Sequence, residues 1–263
     1  MQSSKFYIVK ERHLSKRRNN RALAQQFQEP QQTQFKQPIQ IDTYRKQPRR
    51  VHLTPKTLSQ ENYIELLDSQ EKLIVFATGP AGTGKTMMAV LAALKAYQNG
   101  ECSKIVITRP AVGVDDEEHG FLPGDLNAKM APWTRPIMDY IAEYYRPQDI
   151  NAMLEDQIIE ISPLAYMRGR TFKHAWIIAD EMQNATPSQM KMLLTRLGEG
   201  SKLVVTGDTQ QADRKEADNG LLDFRRLVSE YKNCKYVAGI EFGGKDIQRH
   251  PAVLEILKIY KEL

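Results

Sequence analysis

The chain of 263 residues carries 37 Lys and Arg against 32 Asp and Glu, so its formal charge at pH 7 is +5. Hydrophobic residues make up 41% and charged residues 26%, a balance typical of soluble globular proteins with a sizeable core. The longest strongly apolar run, residues 73–78, is far shorter than the roughly 20 residues of a membrane-spanning helix, so no membrane contact is predicted. No secretory signal precedes Lys10, and Cys102 and Cys234 lack metal-site spacing, which predicts a reduced, cytoplasmic protein.

The first 50 residues differ in composition from the rest. They contain 12 Lys and Arg, 3 Asp and Glu and ten Gln, a charge of +9, while residues 51–263 hold 25 basic and 29 acidic residues, a charge of −4. A segment of this kind buries too little apolar surface to offset its ordering entropy. We therefore predict a disordered basic arm over 1–50 and one folded domain over 51–263. The arm is either a solvated tail or a nonspecific anchor for nucleic acid.

Short apolar runs alternate with helical patterns through the rest of the chain. The runs are apolar almost throughout, as expected for strands covered on both faces. Their alternation with helices predicts an α/β fold with a parallel sheet and right-handed crossovers. The predicted strands are residues 73–78, 104–108, 157–161, 174–179, 202–206 and 235–240.

Two helices are predicted from stripes at i, i+3, i+4 and i+7 spacing, one over residues 87–94 and one over 190–197. For the second, Thr186 suits the N-cap, Pro187 the first helical position and Gly198 the residue after the end. The stretch between strands two and three is interpreted as irregular, with a helix near Ile137–Tyr145. Its acidic run, residues 115–118, is interpreted as a solvated loop in preference to a metal site.

The loop after the first strand carries the clearest chemical signal. It matches the P-loop pattern Gly-x4-Gly-Lys-[Ser/Thr] at every fixed position and lies between a strand and a helix. Its glycines let backbone N–H groups face phosphates, Lys85 reaches the β- and γ-phosphates, and the Thr86 hydroxyl binds Mg²⁺. The predicted ATP-binding residues of this loop are Gly79, Pro80, Ala81, Gly82, Thr83, Gly84, Lys85 and Thr86.

Two further strands end in polar residues at the same predicted edge of the sheet. Asp180 and Glu181 follow the fourth strand, and we assign Asp180 to Mg²⁺ and Glu181 to orienting and deprotonating the attacking water. The fifth strand leads into Asp208 and Gln210. Gln210 would sense the γ-phosphate with Asp208 supporting it, or the two residues belong to a capped turn without a catalytic part.

Together these residues resemble the PhoH-like ATPases, whose core is similar to the first motor domain of superfamily 1 helicases. The resemblance implies a three-layer P-loop NTPase (RecA-like) fold with helices on both faces of the sheet. Two departures are Met182, where the family usually has Ala, and the acidic run before Gly120. The resemblance covers roughly residues 56–260 and rests on Gly79–Thr86, residues 108–112, Gly120–Gly124, residues 166–171, Asp180–Asn184, Gln189–Met192, residues 206–208 and Arg249–Pro251.

The resemblance also implies residue roles. Gln60 would read the adenine edge, and no guanine-reading Asn-Lys-x-Asp motif follows, so ATP is the expected nucleotide. Gln183 and Gln210 would couple nucleotide state to a bound strand. Thr108 and Arg109 would touch the backbone of that strand, which is single-stranded RNA in preference to DNA.

Superfamily 1 helicases place ATP between two motor domains, the second of which supplies an arginine finger. Residues 51–263 suffice for one such domain. We therefore expect a homo-oligomeric ring, with a hexamer favoured, in which each site lies between neighbours. Arg168, Arg170 and Arg249 are the candidate fingers; Arg249 is assigned to catalysis, and Arg168 and Arg170 are also candidate nucleic-acid contacts.

Three other functions stay open at this point. One is an ATP-dependent switch or scaffold that recruits a partner through the arm. Another is RNA helicase or ribonuclease activity reached through assembly. Kinase chemistry would need an acceptor pocket, for which no motif is found.

Overall fold

The computed structural model describes residues 49–110, 126–209, 211, 218–231 and 233–260, and for residues 126–132 the backbone alone. Several sequence predictions lie outside the described residues: nearly all of the basic arm, the acidic run at 115–118, the segment Gly120–Gly124 and Gln210.

The described strands form one six-stranded, wholly parallel sheet in the order β3-β2-β4-β5-β1-β6. All six predicted strands and their parallel pairing are confirmed. The strands are β1 (Ile74–Thr78), β2 (Lys104–Thr108), β3 (Ile159–Ile161), β4 (Ala175–Ala179), β5 (Lys202–Gly207) and β6 (Val237–Glu241).

Helices cover both faces of this sheet, so the predicted three-layer arrangement is confirmed. Alternate strand residues point to opposite faces: Ile105, Ile178 and Val204 join one apolar core, while Ile177 and Val205 join the other. The first core includes side chains of α1 to α4, and the second includes side chains of α5 and α6. The helices are α1 (Leu58–Asp68), α2 (Lys85–Gln98), α3 (Leu126–Ala142), α4 (Pro147–Glu155), α5 (Pro187–Leu194), α6 (Gly220–Tyr231) and α7 (Pro251–Ile259).

The helix predicted near Ile137–Tyr145 is present, but its predicted start is wrong, because helix α3 begins at Leu126 and includes Pro132 and Pro136. Proline lacks an N–H and its ring crowds the preceding turn, so the sequence favours a helix that begins only after Pro136. Tertiary packing overrides that preference. Ile137 and Ile141 of this helix are buried in the core, and α3 packs along α2.

The predicted start of α5 is confirmed and its predicted end is wrong. Thr186 caps the helix by accepting a hydrogen bond from the Gln189 N–H at 3.2 Å. The helix ends at Leu194, before Gly198. Gly198 instead donates its N–H to the Phe172 carbonyl oxygen at 2.8 Å, and a Cβ there would lie 2.4 Å from that oxygen. Close approach of two backbones, rather than a helix cap, requires this glycine.

Helix α7 differs from the others because none of its nine residues is buried. Ile256 is 51% exposed and Ile259 67%, with Tyr260 at 73% just beyond the helix. A helix this apolar normally buries a face against another element. Across the described ranges, no helix is both long enough and apolar enough to cross a membrane.

Candidate nucleotide-binding site

The P-loop joins β1 to α2 at the carboxyl edge of the sheet. Gly79, Gly82 and Gly84 all have positive φ angles, of 132°, 83° and 86°. At Gly82 a Cβ would also lie 2.3 Å from Nε of Arg249, so a side chain there would displace the arginine. The loop therefore needs glycine for its own conformation and for the close approach of Arg249.

Lys85, the first residue of α2, is only 8% exposed. Its Nζ donates to the carbonyl oxygens of Gly79 at 2.6 Å and Pro80 at 2.7 Å. Burial lowers the pKa of Lys85, while the nearby carboxylates of Asp208 and Glu181 act in the opposite direction. The ammonium thus lies inside the loop, where it meets the predicted position of the phosphates.

Asp180 follows β4 and is held by hydroxyl groups of two other elements. Thr86 Oγ1 donates to its Oδ1 at 2.7 Å, and Thr206 Oγ1 donates to the same oxygen at 2.6 Å. The Asp180 N–H donates to the carbonyl oxygen of Thr108 at 2.9 Å. The two predicted Mg²⁺ ligands, Thr86 and Asp180, therefore lie next to each other, and their hard oxygen atoms fit that ion.

Glu181 comes next and has a left-handed backbone, with φ 54° and ψ 38°. Its Oε2 accepts a hydrogen bond from Nε2 of Gln183 at 2.5 Å, and its Oε1 lies 4.0 Å from Nη2 of Arg109. Oε1 of the buried Gln183 accepts from the Asp208 N–H at 3.1 Å. Gln183 therefore connects the end of β4 to the end of β5.

One cavity of about 480 Å³ is lined by Lys85, Thr86 and both acidic residues that follow β4. P-loop residues, both carboxylates after β4, and the residues that follow β2, β5 and β6 all contribute to it. Its lining residues are Thr54, Lys56, Gln60, Ala81, Gly82, Gly84, Lys85, Thr86, Met87, Arg109, Trp133, Pro136, Tyr140, Asp180, Glu181, Gly207, Asp208, Gln211, Gln248 and Arg249.

Comparison with known proteins agrees with this geometry. The family model described as PhoH-like protein matches residues 52–261. The chain belongs to the PhoH family.

Three relatives show the sequence identity and the share of each chain that the similarity covers. The chain is 45% identical over 206 residues to a PhoH-like protein of Bacillus subtilis, covering 78% of this chain and 63% of that one. It is 43% identical to a PhoH-like protein of Synechocystis sp., with 78% and 61% covered, and 38% identical to Protein PhoH of Escherichia coli, with 77% and 56% covered. The chain thus spans less than two thirds of the length of these PhoH relatives.

Solved structures similar to this PhoH family member include helicases. The Pif1 helicase of Candida albicans matches 80% of this chain and 44% of its own, at 14% identity and a TM-score of 0.41. The DUF1998 helicase MrfA bound to DNA matches 82% and 34%, at 13% identity and a TM-score of 0.42.

Gln60 lies at the cavity but is only 2% exposed, and both ends of its amide are engaged. Its Nε2 donates to the Thr83 carbonyl oxygen at 3.0 Å, and its Oε1 accepts from the Lys56 N–H at 2.7 Å. In this structure Gln60 braces the P-loop against the start of α1. Adenine reading by this residue stays a prediction.

The predicted nucleic-acid contacts separate into different environments. The side chain of Thr108 is fully buried, because β2 is an interior strand, and a strand contact by this residue stays a prediction. Its hydroxyl oxygen has no hydrogen-bond partner among the described residues. Arg109 lines the same cavity as the P-loop, and its contact with a strand stays a prediction.

The three candidate fingers also differ. Arg249 lines the cavity beside Gly82 of its own chain. Arg170 lies elsewhere: its guanidinium binds the Glu160 carboxylate through Nη1 at 2.5 Å and Nη2 at 3.0 Å, and it stacks on Phe172. Arg168 is exposed after a short 3₁₀ turn that ends at Met167.

Sequence reasoning missed one wall of the cavity, which α3 forms with Trp133, Pro136 and Tyr140. Their spacing of i, i+3 and i+7 places them on one face of a helix. That spacing can be read from the sequence, but Pro132 and Pro136 argue locally against a helix, so the shared face was not predicted. Gln211 and Gln248 also line the cavity and were not singled out.

Proposed function

We propose that this PhoH family member is a Mg²⁺-dependent ATP hydrolase. The observation that carries the proposal is the hydrogen bond of 2.7 Å between Thr86 and Asp180, in a cavity that Lys85 and Glu181 also line. Thr86 follows the P-loop after β1, and Asp180 ends β4, which β5 separates from β1 in the sheet. A P-loop hydroxyl beside an acidic residue at the end of another strand of the same sheet suits Mg²⁺-nucleotide binding.

Each residue has a defined part in this reaction. Thr86 and Asp180 would hold Mg²⁺, and the ion neutralises phosphate charge when bound. Lys85 and the P-loop N–H groups hold the phosphates. Glu181 orients the attacking water and accepts its proton. Arg249, beside Gly82, stabilises charge on the phosphates from within the same chain or towards a neighbouring one.

Substitution of Glu181 by Gln tests the chemical step. Glu181→Gln keeps the shape of the side chain and removes the base, so phosphate release should be lost while ATP binding is retained. Glu155→Gln, at the exposed end of α4, is the matched control and should hydrolyse ATP at the unaltered rate. Removal of Mg²⁺ with EDTA should abolish turnover of the unaltered chain. If Glu181→Gln retains turnover, another group is the base.

Retained biological activity of the Glu181→Gln chain would favour the alternative function, an ATP-dependent switch or scaffold. Such a switch needs nucleotide binding and a partner, but it needs no hydrolysis.

We further propose that hydrolysis is coupled to single-stranded nucleic acid, with RNA favoured. The +9 charge of residues 1–50 and the basic side chains of Arg109 and Arg168 support this. Turnover should rise with added RNA on the full chain. Deletion of residues 1–50 should reduce the salt dependence of RNA binding, by about 0.7 log units of slope for each phosphate that the arm neutralises. Turnover that neither RNA nor DNA alters would exclude this coupling.

Assembly into a ring, with a hexamer favoured, completes the proposal. The exposed apolar side chains of α7 support it, because a nine-residue helix without buried residues gains little stability by itself. Light scattering should give an oligomer for the full chain, and Ile256→Glu with Ile259→Glu should give a monomer. Leu58→Glu, which alters an apolar side chain 54% exposed on α1, is the control. A monomer that hydrolyses ATP at its full rate would exclude the ring.

A further inference from the structure

Arg109 lies beside the carboxylate of Glu181. It follows β2, its Nη2 lies 4.0 Å from Oε1 of Glu181, and both residues line the cavity. The arginine side chain is 29% exposed and the glutamate side chain 37% exposed. A solvent-accessible cation therefore sits beside the carboxylate to which we assign the chemical step.

Both oxygens of the Glu181 carboxylate have neighbours in this state. Oε2 accepts from Gln183, and Oε1 faces Arg109. The two restraints are unequal. Gln183 is 2% exposed and is fixed to the Asp208 N–H, whereas Arg109 is reachable from solvent. Arg109 is thus the restraint that a ligand can remove.

A carboxylate that faces a cation and accepts a hydrogen bond is less available to orient and deprotonate water. Guanidinium groups bind phosphate oxygens in bidentate fashion, and that interaction is stronger than a separated pair at a half-exposed site. A phosphodiester that reaches the exposed part of Arg109 would therefore compete with Glu181 for it.

From this geometry we propose that Arg109 is a positioning residue that restrains Glu181, and that the phosphate backbone of single-stranded RNA draws it away. This inference rests on the proposed ATPase activity, and it provides a physical mechanism that couples strand binding to hydrolysis. Arg109 has two alternative partners, the carboxylate or the strand. Strand binding and the availability of the base are therefore linked, and the linkage acts equally in both directions.

Strand binding without nucleotide provides a test that needs no hydrolysis. Fluorescence anisotropy of a labelled oligo(U) should show Glu181→Gln binding about twofold to fivefold more tightly than the unaltered chain, since an exposed ion pair of ordinary strength has been removed. Arg109→Gln should bind more weakly, with a salt slope lower by about 0.7. The double variant should match Arg109→Gln. If Glu181→Gln binds oligo(U) as the unaltered chain does, or if the unaltered chain does not bind it, the proposal is wrong, whatever the turnover.

Turnover provides the second test. Arg109→Gln should raise the unstimulated kcat about twofold to fivefold, abolish stimulation by poly(U) and leave the Kd for a fluorescent ATP analogue unchanged. Arg109→Lys should have an unstimulated kcat between those of the unaltered chain and Arg109→Gln, because lysine keeps the charge without the planar fork of the guanidinium. Arg226→Gln is the control, since Arg226 pairs with Asp223 and Glu230 on α6.

Two results in this second test would overturn the proposal. A lower unstimulated kcat, or ATP binding weakened tenfold, in Arg109→Gln would mean that Arg109 serves the nucleotide directly. Absence of turnover in the unaltered chain would instead contradict the ATPase proposal, and the oligo(U) measurement would still decide the role of Arg109.

Discussion

A buried lysine lies at each end of the parallel sheet, and the surroundings of the two differ. Lys85, at the carboxyl end, and Lys202, the first residue of β5, are each 8% exposed. Burial lowers the pKa of both, for Lys202 to about 8. Lys85 lies among P-loop carbonyls with three carboxylates nearby. Lys202 donates to carbonyl oxygens at the end of α1, those of Leu66, Leu67 and Ser69.

Burial and a shifted pKa therefore do not by themselves identify a functional group. A lysine at a helix C-terminus satisfies carbonyl groups that have no partner within the helix. A lysine within a glycine loop beside acidic residues can exchange its carbonyl partners for phosphate. The amino end also has a larger concavity of about 940 Å³, which includes Cys102. Burial raises the pKa of that thiol to about 11, so it is a poor nucleophile.

The largest predicted effect is at Lys85. Lys85→Met should lower turnover by about 10²–10³-fold, because a preorganised charge at the phosphates is removed. The free energy of unfolding should fall less than in Lys202→Met, because the carbonyl groups that lose their donor belong to half-buried Gly79 and Pro80 rather than chiefly to buried residues. Phosphate release and urea denaturation measure the two quantities. A large loss of stability would remove the distinction between the two lysines.

The second effect is at Lys202. Lys202→Met should lower the free energy of unfolding by about 2–3 kcal/mol, because carbonyl groups at the end of α1 lose their donor. The kcat of the folded protein should stay unchanged. A changed kcat with unchanged stability would contradict the structural role.

Lys95 of α2 provides the matched control, because its partner Asp68 is the last residue of α1, the helix whose carbonyl groups bind Lys202. It pairs with Asp68 at 2.8 Å, and both side chains are at least one third exposed. Lys95→Ala should cost only about 0.2–1 kcal/mol and less in high salt, since exposed ion pairs contribute little.

An effect smaller than that at Lys202 is expected at a third charged group, Glu160 of β3. Hydrogen bonding by Arg170 lowers the pKa of Glu160, and Lys104 acts in the same direction. A carboxylate whose pKa is lower in the folded state stabilises the protein above its unfolded pKa, and that contribution is lost as the pH falls through the folded value. Glu160→Gln should therefore cost about 1–2 kcal/mol at pH 7, and this cost should decrease steadily as the pH falls below the unfolded pKa of the carboxyl group. Denaturant unfolding across this range measures the difference. A constant cost at all pH values would show that shape, rather than charge, matters at this position.

Part of the site could be predicted because its signals are local. Lys85 and Thr86 stand in a contiguous motif, and Asp180 directly follows an apolar run, so adjacency in sequence was sufficient. Lys202 carries no such signal, since lysine at the start of a strand is normally exposed. Its burial depends on where α1 ends, more than 130 residues earlier in the chain. The wall formed by Trp133 and Tyr140 was missed because prolines argue locally against a helix.

The six strands, their parallel pairing, the P-loop and the acidic pair after β4 can all be read from the amino-acid sequence, because apolar runs and motif spacing are local properties. The tertiary structure was needed to show that Arg109 faces Glu181, that Arg249 lies against Gly82 and that Thr108 is buried. Neighbouring strands in a parallel sheet are joined by long crossovers, so their order and the residues that meet at their ends depend on packing between distant segments. Those contacts between the ends of different strands, more than the motif itself, distinguish the side chains that line the cavity from those that only stabilise the fold.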